Sequence, residues 1–284
     1  ASPQISSDTG RRWTILVKPG IYRELVYVQR EKRFTSLIGE DAEKTILTFD
    51  LYASLPGPDD KQIGTFRTPT LVVDADDFTV ENMTIENSAG ARGQALALRV
   101  DGDRVVFRGC RFLGWQDTIF VNRGRHYFED CLIEGAVDFI FGGATSFFER
   151  CHIRVVGAGF ITAASTPDHQ PHGLVFSQCK ITGLAPGPFT FLGRPWRDYA
   201  KTVFLHCEIS EVVQPVGWDN WKKPATEKTS FYAEYMSTGP GAKPLERAPW
   251  AKALTAEDVA ALTREKVLGG TDGWDPTARP KRAR

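Results

Sequence analysis

The sequence predicts an all-β protein, a single-stranded right-handed parallel β-helix with a C-terminal helix packed on it. Three observations predict this fold. One short motif recurs around five cysteines. The segments that carry it alternate apolar and polar residues. Long amphipathic helical patterns are missing until residue 254.

The motif sets the period. It reads "FRGCRF" at 107–112, "FEDCLI" at 128–133, "FERCHI" at 148–153, "FSQCKI" at 176–181 and "FLHCEI" at 204–209, always Phe-x-x-Cys-x-Ile/Phe. "VENMTI" at 80–85 is a weaker relative, with Met83 in the cysteine position. The cysteines are 21, 20, 28 and 28 residues apart. A fixed motif at such periods marks a solenoid. "RVVFRGCRF", "TSFFERCHI" and "TVFLHCEI" alternate with period two, so the repeating unit is made of strands. Regularly spaced leucines, which a leucine-rich repeat would need, are missing. Each turn is then a coil of about three strands, and equivalent residues stack about 4.8 Å apart along the axis. The cysteines form an inward ladder of small apolar side chains. Five is an odd number, no cysteine set has zinc spacing, and one ladder position serving five coils points to packing rather than disulfides.

The last element is "LTAEDVAALTREKVL" (254–268). Thr255 is an N-cap with Asp258 three residues on, and apolar residues follow at helical spacing, which predicts one helix on the side or end of the coil stack. No linker interrupts the chain, so residues 1–284 read as one domain with a helix-and-loop tail from about 248. "RPKRAR" at 279–284 is a short basic tail expected to be solvated.

Composition excludes several classes of function. Lys+Arg and Asp+Glu both number 35, so bulk charge suggests no nucleic-acid partner. Hydrophobic residues make up 42% and charged residues 25%, as in ordinary globular proteins. No apolar run approaches the roughly 20 residues of a membrane span. The first residues, "ASPQISSDTGRRW", have no apolar segment of the signal-peptide kind, which leaves export open.

"GAVDFIFGG" (135–143) reads as a buried strand except for Asp138. A buried carboxylate needs a partner, a proton or a chemical purpose. The repeat supplies a companion. Asp117 stands seven residues after Cys110 and Asp138 seven after Cys131, and each unit has glycine at plus four, Gly114 and Gly135. The two aspartates therefore hold one position in consecutive coils. Carboxylates that close cannot ionise independently, so one is pushed toward the protonated form. A proton donor beside an ionised carboxylate is an acid/nucleophile or acid/base arrangement. The plainer alternative is two structural aspartates capping turns, which the apolar setting of Asp138 argues against.

A fixed cation would keep one of the pair charged. "FLGRPWRDY" (191–199) holds Arg194 between glycine and proline, a stiff setting that suits one pose, although a surface turn arginine would fit this string alone. There is no G-x-S-x-G elbow, HExxH motif or phosphate loop. His126, His152 and His206 lie in repeat strands, and none of the five histidines pairs with a nucleophile. The carboxylates are the best hydrolytic candidates.

Together these strings resemble the pectin methylesterases, carbohydrate esterases built on a right-handed parallel β-helix. The matching strings run in order: "VKPGIYRELVYV" (17–28), "GQALAL" (93–98), "WQDTIF" (115–120), "VDFIFGGA" (137–144), "LGRPW" (192–196), "GWDNW" (217–221) and "YAEYMSTGPGA" (232–242). The resemblance implies that Asp138 is the nucleophile on the C6 methyl ester of galacturonate. It implies that Asp117 is the acid for departing methanol and then the base for water. Gln94 and Gln116 would be the oxyanion donors, and Arg194 the partner that keeps Asp138 ionised. Phe66, Phe120, Phe141, Phe191, Trp196, Trp218 and Trp221 would line the sugar cleft, with core packing as the alternative for the phenylalanines above all. The resemblance implies no metal or organic cofactor. The expected partner is methyl-esterified homogalacturonan, with neither nucleic acid nor membrane, and the expected state is a monomer, secreted or periplasmic.

The chain departs from the family pattern in three places. Almost nothing of the usual Asp-Gly-rich opening and short helix precedes Trp13, so the first coil's end cap is open. Phe120 stands where many members have tyrosine, which loses a hydroxyl and keeps a stacking face. "ITAAS" (161–165) replaces the Gln-Gly-Arg string of plant members and is more like the bacterial branch. Two other readings remain. A polygalacturonase-type hydrolase also uses carboxylates on a β-helix, but an inverting pair stands about 6.5–9.5 Å apart, wider than register neighbours, while a retaining pair is harder to exclude. A non-catalytic polysaccharide-binding β-helix would not need Asp117, Asp138 and Arg194 together. A lyase would be expected to carry a calcium-binding cluster of acids, which is not evident.

Overall fold

The computed structural model describes residues 12–58 and 60–279. The expectations for the first eleven residues and for most of the basic C-terminal string fall outside the described residues.

Every named strand pair is parallel. One sheet runs in chain order through ten strands, from Trp13–Val17, Thr35–Gly39 and Thr79–Glu81 to Phe231–Tyr235 and Lys252–Ala253. The remaining strands form two further faces that meet in Leu132–Gly142, an 11-residue strand, and His152–Ala164, one of 13 residues. These long strands run across both faces without a break, so the coil stack is a parallel β-helix with one fused corner.

The cysteine motif marks the corner between the first and second faces. In six successive coils the residue before Met83 or the cysteine is left-handed: Asn82, Gly109, Asp130, Arg150, Gln178 and His206, with φ between 51° and 56°. This turns the chain from one strand into the next within two residues. Asn, Asp and Gly tolerate that conformation best. All five cysteines are free and buried. Each points its thiol at a carbonyl of the preceding coil. Cys131, Cys151, Cys179 and Cys207 meet the carbonyls of Phe107, Phe128, Phe148 and Phe176 at 3.4–3.7 Å.

The phenylalanines of the motif stack face to face along the axis. Centroid spacings are 4.7 Å for Phe107–Phe128 and 4.5 Å for Phe128–Phe148, Phe148–Phe176 and Phe176–Phe204. Trp218 and Tyr232 continue the stack, at 5.9 Å from Phe204 and 4.6 Å from each other. On the second face Ile85, Phe112, Ile133, Ile153, Ile181 and Ile209 fall in register and complete the core.

The C-terminal element differs from the single helix expected over 254–268. It is two short helices, Ala256–Ala260 and Arg264–Val267. The predicted N-cap is present as a full capping box between Thr255 and Asp258. The break at Thr263, which caps the second helix in an extended conformation, has a packing cause. Leu262, Val267 and Leu268 all bury against Val106, Tyr127, Phe147 and Val175 on the outside of the first sheet. In one straight helix Leu262 and Val267 would point well apart, because five residues exceed one turn. The tail then runs back along the sheet toward the N-terminal coils. Arg264 donates to Glu149 at 2.8 Å, Arg125 to Asp272 at 3.1 Å, and buried Arg108 to the Pro276 carbonyl. Among the described residues no helix is long and apolar enough to cross a membrane.

Candidate active site

The two aspartates are register neighbours, as the repeat predicts. Parallel bridges join Gln94 to Gln116 and Gln116 to Val137, and the Asp117 N–H donates to the Val137 carbonyl at 3.0 Å. Ile119 pairs with Ile140 two residues further on, so Asp117 and Asp138 share one level of adjacent coils. Both are left-handed, at φ 64° and 50°, and the ladder slips between Val137 and Ile140. Such bulges re-aim side chains. The glycine that repeats at plus four explains how the chain gets there. A Cβ on Gly114 would stand 2.6 Å from the Thr118 hydroxyl, and one on Gly135 would stand 2.2 Å from Phe139 Cβ. Only glycine allows each corner to fold this tightly just before its aspartate.

Both carboxyls are nearly buried, Asp117 at 8% exposure and Asp138 at 6%. Their surroundings differ in one respect. Arg194 reaches Asp138 with both ends of its fork, Nε to Oδ1 at 2.8 Å and Nη2 to Oδ2 at 2.6 Å. Asp117 has no such partner among the described residues. Burial, then the charge of Asp138, pushes the Asp117 carboxyl up to about 8, against a smaller opposing pull from Arg194. Burial also raises Asp138, with a contribution from Asp219, and the Arg194 hydrogen bonds and charge pull it back. With both oxygens accepting from a guanidinium, Asp138 is held as the carboxylate. At neutral pH the pair is therefore a proton donor beside an anion.

Arg194 is held from both faces. Its guanidinium carbon lies 3.8 Å from the Phe160 ring centroid and 3.6 Å from that of Trp221. This sandwich fixes the fork. Sequence reasoning missed Phe160. Its signal lies in the register, which aligns Val137, Phe160 and Phe191 in successive coils.

Gln94 is exposed and Gln116 half-buried, one coil apart and stacked beside the pair. No side-chain partner engages either amide among the described residues, so both can donate to a group in the cleft.

The aromatics divide. Phe120 and Phe141 stack at 4.8 Å, and Trp196 meets them edge-on at 6.3 and 5.7 Å. With Leu96, Ala163 and Trp221 they form a separate apolar cluster beside the aspartates. Phe66, 45% exposed, lies against Phe120 at 4.9 Å. Phe191 stacks on Phe160 at 5.2 Å and borders a hollow of about 630 Å³ with Asp219 and Glu227. Trp218 corrects the prediction. It borders the same hollow, but at 2% exposure it belongs to the axial core stack and has no free face for a sugar. A tryptophan in "GWDNW" can turn inward or outward, and the parallel bridge from Gly193 to Trp218 turns it inward. His126 is fully buried with its ring on the Gly102 carbonyl at 3.0 Å, which is a packing role. Among the described residues no group of His, Cys, Asp and Glu is arranged to hold a metal ion.

The fold and the site define a parallel β-helix protein with a carboxylate pair, an arginine clamp and two unengaged amides. The pectinesterase family model matches residues 1–271, and the chain belongs to that family. Pectinesterase 31 of Arabidopsis thaliana is 41% identical over 263 residues, covering 90% of this chain and 83% of its own length. Among solved structures, pectin methylesterase from carrot superposes with a TM-score of 0.85 at 32% identity, covering 92% of this chain and 85% of that one. The enzyme from Erwinia chrysanthemi gives 0.83 at 29% identity, covering 95% and 91%. The bacterial character expected from residues 161–165 does not extend to the whole chain, whose identity to the carrot structure is slightly the higher.

Proposed function

We propose that the chain hydrolyses the C6 methyl ester of polygalacturonate, with Asp138 as nucleophile and Asp117 as the acid and base. The carrying observation is the asymmetry of the pair: Arg194 clamps Asp138 and leaves Asp117 to hold a proton. A pectin methylesterase variant solved with a hexasaccharide, 28% identical with a TM-score of 0.83, supports the substrate class.

An Asp138 oxygen attacks the ester carbonyl carbon, and negative charge develops on the carbonyl oxygen. The amides of Gln94 and Gln116 donate to that oxygen, each such donor being worth roughly 3–4 kcal/mol. The intermediate collapses with cleavage of the bond to the methoxy group, whose oxygen takes the Asp117 proton and leaves as methanol. An acyl-enzyme anhydride on Asp138 remains. Asp117, now a carboxylate, removes a proton from water as the water attacks the acyl carbon. The anhydride bond breaks, Asp138 leaves as a carboxylate, and Asp117 is again protonated. Phe66, Trp196 and Trp221 offer faces for sugar rings, with Phe120 and Phe141 as the floor beneath Trp196.

We read residues 1–284 as one domain acting as a monomer. The polymer substrate lies outside the cell, which favours a secreted or periplasmic enzyme. The test is methanol release from highly methylated pectin, with chain ends followed in the same sample. Methanol without new chain ends is the expected result. Chain ends without methanol would make the pair glycosidic acids and overturn the reading.

A further inference from the structure

We propose that Asp219 is a positioning residue of this site: its carboxylate holds Trp221 in place as one face of the Arg194 sandwich, and its charge offsets part of what Arg194 imposes on Asp138. The proposal rests on the assignment of Asp138 as the nucleophile.

The geometry places Asp219 one coil beyond the ion pair. Gly193 bridges to Trp218, so Asp219 is level with Arg194, and the Asp219 N–H donates to the Gly193 carbonyl at 3.1 Å. From there Asp219 Oδ1 accepts the Trp221 N–H at 2.6 Å. Trp221 is left-handed at φ 54° and Lys222 at φ 56°. A bulky residue enters that region at a cost of roughly 1–2 kcal/mol and stays only where neighbours hold it. The bond from Asp219 is such a hold. It fixes the backbone that carries the ring lying 3.6 Å from the guanidinium.

Asn220 performs the same service next door, since its Oδ1 accepts the Lys222 N–H at 2.9 Å. A neutral amide is therefore enough to make this turn. The negative charge at 219 exceeds what the backbone demands, and it stands one coil from Arg194 at the same level. The groups around Asp138 are Asp117 from the preceding coil, Arg194 and Asp219 from the following ones, and the buried Tyr232 hydroxyl. Of these Arg194 alone favours the anion, and an anion stabilised too well is a weak nucleophile. Asp219 pushes the other way. It restores basicity to Asp138 while the bidentate clamp keeps it ionised.

The test compares Asp219→Asn, Asp219→Ala and Asp138→Asn by methanol release across a pH series. Asp219→Asn keeps the turn acceptor and removes the charge, so the acid limb of kcat/KM moves to lower pH. Asp219→Ala also frees Trp221, so the same displacement comes with a kcat lower by about tenfold. An acid limb that stays put in Asp219→Asn overturns the charge role, and a kcat in Asp219→Ala equal to that of Asp219→Asn overturns the positioning role. If Asp219→Ala fails to fold, Asp219→Asn still decides the charge role, and Asp219→Ser, which keeps a short acceptor, retains kcat if the turn is what matters. Substantial turnover in Asp138→Asn would instead remove the nucleophile itself, a separate failure.

Discussion

Five phenylalanines, from Phe107 to Phe204, stack along the axis at 4.5–4.7 Å. Ten residues further along two of the same coils, Asp117 and Asp138 are stacked by the same register. In the first region the repeat puts like beside like and gains stability, because flat apolar rings fill the axis without voids. In the second it puts one buried carboxyl beside another and costs stability, because burial and the charge of Asp138 both oppose ionisation of Asp117. A solenoid cannot choose which residues it stacks. What differs is the compensation. Phenylalanine needs none, whereas the aspartates need Arg194 on one side and a retained proton on the other.

Asp138→Asn keeps the shape and removes the nucleophile, so methanol release should fall by more than about 10³-fold, and the thermal midpoint should drop because Arg194 loses its charged partner. Gln116→Ala should lower kcat by roughly 10²–10³-fold as one oxyanion donor is lost. A change confined to KM would place Gln116 in substrate binding instead.

Much of the contrast is legible in the sequence, for a physical reason. The Phe-x-x-Cys-x-Ile unit is local, and its left-handed corner is always the residue before the cysteine, so motif spacing translates directly into axial register. Asp117 and Asp138 inherit that register because both lie at one offset from their cysteines. Beyond Cys151 the coils lengthen to 28 residues, and the ladder slips between Val137 and Ile140, so offset counting no longer places a side chain. Phe160 is invisible for that reason, and the inward turn of Trp218 likewise. The helix break at Thr263 was hidden because it answers to the apolar face of the first sheet, which is assembled from strands far away in sequence.

Phe148 stacks between Phe128 and Phe176 and is fully buried, so Phe148→Ala should cost about 3–5 kcal/mol in denaturant unfolding. Asp117→Asn should do the reverse. The folded state raises this carboxyl to about 8, so it binds more protons than the unfolded chain between about pH 4 and 8. Stability therefore falls as pH rises through that window. An amide has no proton to lose, so the variant should be more stable than the parent at pH 7, by up to about 4 kcal/mol, and equally stable below pH 4. It should also be inactive. Equal midpoints at pH 7 would mean that neither burial nor its neighbour strains Asp117, and the contrast with the phenylalanine ladder would lose its basis.

The smallest expected effect lies where charges are paired at the surface. Asp272 belongs to the C-terminal tail and bonds Arg125, while Arg104 donates to it at 3.3 Å. The Arg125 hydrogen bond holds its carboxyl below the ordinary range. A carboxyl lowered by folding adds stability that is fully present above its unfolded value of about 3.9 and fades as pH falls toward the folded one. Asp272 is about a third exposed, and solvent screens most of the interaction. Asp272→Asn should therefore cost less than about 1 kcal/mol at neutral pH and low salt. The loss should shrink in 1 M salt and below pH 4. A loss of several kcal/mol that salt leaves unchanged would mean that the tail is held by this contact rather than by Leu262, Val267 and Leu268. Stacked charge would then govern the edge of the molecule as well as its cleft.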